Sequence, residues 1–382
     1  MGQEMVHGFA APVLALCGLS GSGKTTLLEA AIPLLVRRGL AVAVVKHTSH
    51  DFEVDRPGKD SERLFRVGAT ISLRGPQQQF ERRAVALPLE VTLASLACDH
   101  DLLLVEGHKD TALPKLWLGN AERLEAPAGV TGIVSALEWN SDRLAALLDY
   151  IDHWLPLAWS ARPLHYGLLI GGSSARMGRP KQAVQFGGRA LGEIAAEALV
   201  AMPASATGGP SVGPYPPCAP GNRRAVALGG GALPPSLKAW TQLPDAPGFA
   251  GPGAGMIAAH RWAPEAAWIV AACDHPWLRS RHVEWLAAQR QPGRWAVVPR
   301  QRDGHPCPTL ALYEPQALEA MERLARAGRK HNADPSAVLD LPRTAVVQPP
   351  PELADGWTGV NTPEELRAEE ERLAPAAEPI DE

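Results

Sequence analysis

The octapeptide GLSGSGKT, Gly18 to Thr25, limits what this chain can fold into more than any other stretch. It follows a short apolar run, Pro12 to Cys17, and precedes Leu27, Leu28, Ala31, Ile32, Leu34 and Leu35, which repeat at helical spacing. A buried strand, a glycine-rich turn and a helix in that order aim successive backbone N–H groups at one point, at a helix N-terminus where the dipole favours anions. In this Walker A pattern Lys24 reaches terminal phosphates and the Thr25 hydroxyl serves magnesium. Pro33, inside the helix, predicts a kink.

Two further apolar runs read as buried parallel strands, Leu40 to Val45 and Leu102 to Val105. The first ends in Lys46, His47 and Thr48 and opens a polar stretch through Ala69; the second ends in Glu106 and Gly107. A carboxylate at a strand's C-terminal end beside a phosphate loop is placed to hold a metal-bound water, although a solvated strand-end acid would look the same. His47 and His50 read equally as ligands or as surface loop histidines.

With 382 residues, the chain is long enough for two or three domains. Its 37 basic against 41 acidic residues give no case for a nucleic-acid binder, while a basic excess within residues 161–363 suits anionic ligands. Five cysteines without a CxxC pair argue against a disulfide framework. No long apolar run suggests a membrane span, and no signal peptide is evident, so a cytoplasmic protein is expected.

The stretch KHTSHDFEVDRPGKDSERLFRVGA, with the Walker A loop and LLLVEGHKD, resembles the GTP-binding adaptor proteins of molybdopterin-guanine dinucleotide biosynthesis across roughly residues 12–160. The resemblance implies that Gly21, Ser22, Gly23, Lys24, Thr25 and Thr26 bind GTP phosphates, with Thr25 on the metal. It places Asp55, Lys59, Asp60 and Glu106 around the nucleotide, and implies weak or absent turnover and a role in assisting a partner enzyme.

Residues Leu144 to Ile151 read as a helix and Trp154 to Pro163 as an aperiodic linker, which sets a boundary near residue 162. A strand from His165 to Ile170 then runs into GGSSARMGRPK, Gly171 to Lys181. The glycines let the backbone approach a triphosphate, and Arg176 and Lys181 supply positive charge against a leaving pyrophosphate. Another strand, Trp268 to Ala272, presents Asp274 at a C-terminal sheet edge, where ligands bind in open α/β sheets; Asp274 is the expected magnesium ligand. In GVNTPEEL, Thr362, Pro363 and Glu365 form a capping box, leaving Asn361 as the functional candidate. Arg323, Arg326, Arg329, Lys330 and His331 either receive a phosphate or complement a helix dipole.

In order, LLIGGSSARMGRPK, the GPGAG loop, the CDHP turn, HPCPTLALY and VNTPEEL resemble the molybdenum cofactor guanylyltransferases across residues 165–373. The resemblance implies a Rossmann-like sheet in which Gly171, Gly172, Arg176 and Lys181 bind the nucleotide triphosphate, Asp245 helps hold the nucleoside, Asp274 binds Mg²⁺, and Asn361 lies near the transferred group. Two positions depart from the pattern. Pro180 stands where an acidic residue is usual, as in cytidylyltransferases, and Gly359 replaces a frequent asparagine. Residues 203–222 form a proline- and glycine-rich tract read as a disordered insertion.

The expected architecture is α/β: a P-loop NTPase domain over residues 1–161, then a Rossmann-like nucleotidyltransferase domain over 162–382. The expected reaction joins GMP from GTP to molybdopterin or Mo-molybdopterin, with CMP transfer from CTP and a non-catalytic cofactor-delivery adaptor as alternatives. Molybdoenzyme apoproteins and upstream cofactor-insertion proteins are the expected partners, in a monomer or a homo-oligomer.

Overall fold

A computed structural model describes residues 8–48, 55–56, 58–120, 123, 125–138, 142–171, 177–201, 225–328 and 333–373. The tract 203–222 with Cys218, the residues His50, Gly172, Arg176, Arg329, Lys330 and His331, and the acidic end after Leu373 lie outside them.

The first half contains β1 (Val13–Gly18), α1 (Lys24–Arg37), β2 (Val42–Lys46), α2 (Asp60–Arg66), β3 (Ile71–Arg74), β4 (Gln79–Arg82), α3 (Leu89–Ala97), β5 (Leu102–Glu106), β6 (Lys115–Leu118), β7 (Ile133–Leu137) and α4 (Arg143–Ser160). Five of these strands form a parallel sheet in the order β2-β5-β1-β6-β7, and β3 pairs with β4 in a separate hairpin. β1 and β5 are buried along their whole length, which is why their sequences run apolar without alternation. One face of the sheet packs on α1 and α4 through Leu28, Leu35, Leu147 and Trp154, the other on α3 through Leu93 and Ala97.

Helix α4 corrects the linker reading. Trp154, Leu155, Ala158 and Trp159 are buried within one continuous helix that runs through Pro156 to Ser160. Pro156 and the bulky tryptophans hide its periodicity, but all four contacts fall on one face. Helix α1 likewise runs on through Pro33.

The second half contains β8 (Leu164–Leu169), β9 (Gln185–Phe186), β10 (Arg189–Ala190), α5 (Leu191–Val200), β11 (Ala225–Leu228), β12 (Thr241–Leu243), α6 (Pro252–Trp262), β13 (Ala267–Ala272), α7 (Ser280–Ala288), β14 (Ala296–Pro299), β15 (Leu310–Tyr313), α8 (Pro315–Arg326), β16 (Thr344–Val347) and α9 (Pro363–Glu371). Seven strands form a sheet in the order β12-β11-β8-β13-β15-β14-β16. Only β15 runs against its neighbours. Helices α5 and α7 cover one face and α6 and α8 the other.

The two halves meet along a buried polar seam. Glu314, fully buried, accepts from Arg162 Nη2 at 2.6 Å, Arg290 Nε at 2.7 Å and Trp159 Nε1 at 3.0 Å. Asp101, also fully buried, accepts from Trp295 Nε1 at 2.8 Å and from the Ala41 N–H at 2.7 Å, and lies 3.0 Å from Arg343 Nη1. Gln316 Nε2 donates to the carbonyls of Ala10, Ala97 and His100, and Arg323 pairs with Asp99. Buried carboxylates ringed by this many donors are satisfied in place, and removing one partner of such a pair costs about 3–5 kcal/mol.

Candidate functional site

The first candidate site is the turn between β1 and α1. Gly21 and Gly23 have φ of 73° and 80°, the left-handed region that other residues enter only at a cost. A Cβ on Gly18 would lie 2.4 Å from the Leu118 carbonyl oxygen, so the strand's last residue must also be glycine. Lys24 folds back over this turn, donating to the Leu19 carbonyl at 2.8 Å and to Ser22 Oγ at 3.3 Å. Burial pulls its ammonium below the usual range, opposed by Glu106 and assisted by Lys109 and Lys46.

Glu106 ends β5 beside it, because Leu16 of β1 pairs with Glu106 in register. The Thr25 hydroxyl donates to Glu106 Oε1 at 2.8 Å, while Lys46 Nζ donates to Thr25 Oγ1 at 3.1 Å and lies 3.3 Å from Glu106 Oε1. Lys24, Thr25 and Glu106 thus converge as the sequence suggests, and Thr26 is exposed on the first turn of α1. Asp55 accepts from the Arg56 N–H and Asp60 faces Arg63, while Lys59 sits at the N-cap of α2. His47 lies beside His108, ring centroids 4.5 Å apart and planes tilted by 46°.

Two residues of this site are additional to the sequence reading. Lys46 completes the polar triangle, and its signal is its place as the last residue of a strand beside a phosphate-type loop. Arg143 opens α4 and donates to the carbonyls of Ser22, Gly119 and Glu138, so it braces the turn from behind. No local sequence signal points from residue 143 to residue 22.

The second candidate site lies at the C-terminal ends of β8, β11 and β13. Gly171 leaves β8 with φ 114°. Against it lies the turn Gly229–Gly231, where a Cβ on Gly229 would meet the Ile170 carbonyl at 2.2 Å and one on Gly231 the Gly171 nitrogen at 2.8 Å. This glycine triplet after the strand AVAL is absent from the sequence reading and was legible there as a close-approach signal. Asp245 accepts from the Gly230 N–H; burial raises its pKa, and that hydrogen bond opposes the rise.

Lys181 begins a 3₁₀ turn with Pro180 at its N-cap. Its ammonium donates to Asp274 Oδ2 at 2.9 Å and to Asn361 Oδ1 at 2.7 Å. The Val360 N–H donates to the Asp274 carbonyl at 2.9 Å, tying the two turns together. Thr362 caps α9 by accepting from the Glu365 N–H, and Glu365 reaches back to the Asn361 N–H at 2.6 Å. Only the Thr362 half of the expected capping box forms, because Glu365 bonds the residue before the cap; that bond fixes Asn361, which presents its amide to Lys181.

Burial works against ionisation of Asp274, but His275 and Lys181 outweigh it and hold the carboxyl below its usual range. Its Oδ1 is buried with no hydrogen-bond partner, 3.4 Å from His275 Nε2. For His275, burial disfavours the cation while Cys307, whose Sγ is 3.7 Å away, and Asp274 favour it; the balance is raised to about 9. Gly359 borders the same ring, and a Cβ there would lie 3.8 Å from His275 Cε1, an ordinary contact.

Below these turns the GPGAG segment starts α6. A Cβ on Gly253 would lie 2.0 Å from the Ala333 carbonyl oxygen and one on Gly255 3.1 Å from Leu228 Cβ. Its glycines serve helix packing beneath the site.

A family model described as molybdopterin guanine dinucleotide synthesis protein B matches residues 13–134. The molybdopterin-guanine dinucleotide biosynthesis adapter protein of Haemophilus influenzae is 34% identical over 160 residues, which cover 38% of this chain and 89% of that protein. The corresponding adapter protein of Escherichia coli is 36% identical over 153 residues, covering 37% of this chain and 86% of that protein. The chain belongs to the synthesis protein B family. A MobA-like NTP transferase domain, matched over residues 167–338, follows the synthesis protein B domain, so the two families are fused in one polypeptide. The structure of a molybdopterin-guanine dinucleotide biosynthesis protein A from Archaeoglobus fulgidus is also similar, at 21% identity, with a TM-score of 0.41 and coverage of 55% of this chain and 98% of that one. Among the described residues no helix is long and apolar enough to cross a membrane.

Proposed function

We propose that the second half transfers GMP from GTP to the terminal phosphate of molybdopterin or Mo-molybdopterin, and that the first half is a GTP-binding adaptor with weak hydrolysis at most. The observation that carries this reading is the Lys181, Asp274 and Asn361 cluster at a C-terminal sheet edge, inside a domain matched by a nucleotidyltransferase family.

A phosphate monoester is mostly dianionic at neutral pH, so its oxygen needs no general base to attack the α-phosphorus. The new P–O bond forms as the bond to the β-phosphate breaks, and pyrophosphate leaves with the electron pair. Gly171 and the Gly229–Gly231 turn leave room for backbone to approach the nucleotide. Lys181 supplies charge against the leaving group, and Asn361 holds Lys181 in place. The orphaned Oδ1 of Asp274 fits a divalent cation. Among the described residues no three His, Cys, Asp or Glu side chains cluster as ligands, which suits Mg²⁺ completing its shell with phosphate and water. When bound, the ion neutralises charge on the triphosphate.

In the first half, Lys24, Thr25 and the glycine turn suit nucleotide phosphates, and Glu106 with Thr25 would hold Mg²⁺. The test offers GTP, CTP and ATP in parallel to the purified protein with Mg²⁺ and molybdopterin. Pyrophosphate and a guanine dinucleotide from GTP alone support the reading. Turnover of CTP replaces it with cytidylyl transfer, and no turnover with any nucleotide leaves a cofactor-delivery adaptor.

A further inference from the structure

We infer that the two nucleotide sites stand back to back, so that both fill at once and no ligand passes between them within one chain. The inference rests on the two-site reading above and adds their mutual placement. Every described contact of the seam involves the N-terminal side of a sheet. On the first sheet these are Ala10 before β1, Gly39 before β2 and Asp101 before β5. On the second they are Arg162 before β8, Trp295 before β14 and Arg343 before β16. Glu314 and Gln316 follow β15, the antiparallel strand, so they too emerge at that edge.

Contacts also keep strand order. Ala10 before β1 meets Gln316 after β15, Asp101 before β5 meets Trp295 before β14, and Gly39 before β2 accepts from Arg343 before β16. The parallel strands of both sheets therefore start at the seam and run away from it. Lys24, Thr25 and Glu106 lie at the far end of one sheet, and Gly171, Gly229 and Asp274 at the far end of the other. Two strand lengths, on the order of 40 Å in sum, separate the sites. The buried charges of Asp101, Glu314 and Arg162 hold this arrangement rigid, since sliding the halves would strand them unpaired. A molecule leaving one site reaches the other through solvent or on a second copy of the chain.

Two measurements on the full chain test this. Spin labels at Ser20→Cys and Arg179→Cys, in a Cys98→Ser/Cys218→Ser background, report the distance between the two turns without nucleotide. A single narrow distribution beyond about 30 Å is expected from the strand lengths; a shorter or broad one overturns the arrangement. Titration with a non-hydrolysable GTP analogue and Mg²⁺ should fill two sites per chain, Lys24→Ala and Lys181→Ala each removing one. The surviving site should keep its affinity within about twofold, whereas a change beyond about fivefold is a genuine coupling and overturns independence. A long distance with only one filled site overturns simultaneous filling and locates the fault in the two-site reading, because the label distance does not depend on nucleotide.

Discussion

Lys181 and Asn361 share a hydrogen bond of 2.7 Å, although 180 residues separate them along the chain. The bond closes the second site, since the same ammonium also holds Asp274 at 2.9 Å. Lys181→Ala and Asp274→Asn should each lower pyrophosphate release by about 10²- to 10³-fold, the usual loss for one electrostatic group. Asn361→Ala, which leaves the ammonium in place but unsteadied, should cost less. Single-turnover rates with saturating nucleotide check the order, and equal losses at all three positions would contradict it.

Arg143 braces the first turn through three carbonyls, from Ser22, Gly119 and Glu138. Replacing it with alanine leaves those carbonyls to water and frees the turn to move. Binding of a GTP analogue to the first site should weaken by about tenfold, the equivalent of one charge-assisted hydrogen bond or so. Calorimetric titration of Lys181→Ala protein, with and without the Arg143 change, isolates that site.

Gly359 is open to substitution, because its added Cβ meets only His275 at 3.8 Å and its backbone is not left-handed. Gly359→Asn should fold with a stability change within about 0.5 kcal/mol. If the restored amide reaches the substrate, KM for molybdopterin falls while kcat holds. A large drop in thermal midpoint would show that the site has no room there.

Glu314 links stability to acid. Burial raises its pKa, but Arg290 and Arg162 outweigh burial and hold it below the usual carboxylate range. A folded-state value below the unfolded one adds stability that is present above the unfolded pKa of about 4.3 and is lost as pH falls through the folded value. Urea midpoints should therefore drop on acidification below about pH 4.3. In Glu314→Gln the protein is weaker at pH 7 and this acid-dependent loss is smaller.

Much of the fold is legible from local pattern. The runs at 13–18 and 102–106 are apolar on both faces because both faces are buried, and the turns after them carry glycine or charge for visible reasons; the run at 42–46 departs from the buried strand expected of it, because β2 lies at the sheet's edge and only Ala43 is buried. Other strands were harder to read. β6 begins with Lys115, a fully buried lysine whose ammonium donates to the carbonyls of Thr111 and Leu113, and β7 is half exposed. Site residues follow the same division. Lys24, Thr25, Lys181 and Asp274 lie in motifs, and Lys46 and the Gly229–Gly231 turn carry local signals after their strands, whereas Arg143 gains its place only when distant segments meet. The Thr362 cap was readable, but not that Glu365 would reach the Asn361 N–H instead of the N-cap.

The joint between the halves has little free tether. Helix α4 ends at Ser160, β8 begins at Leu164, and the intervening Arg162 is 8% exposed with its guanidinium on Glu314 and stacked on the Trp159 ring. A protease that opens fusion proteins at their connector finds here an arginine already folded into the interior, and one followed by proline, a bond trypsin cuts poorly. Trypsin therefore should not part the halves at Arg162 in the native protein, and lengthening the connector would displace a buried charge rather than loosen a leash.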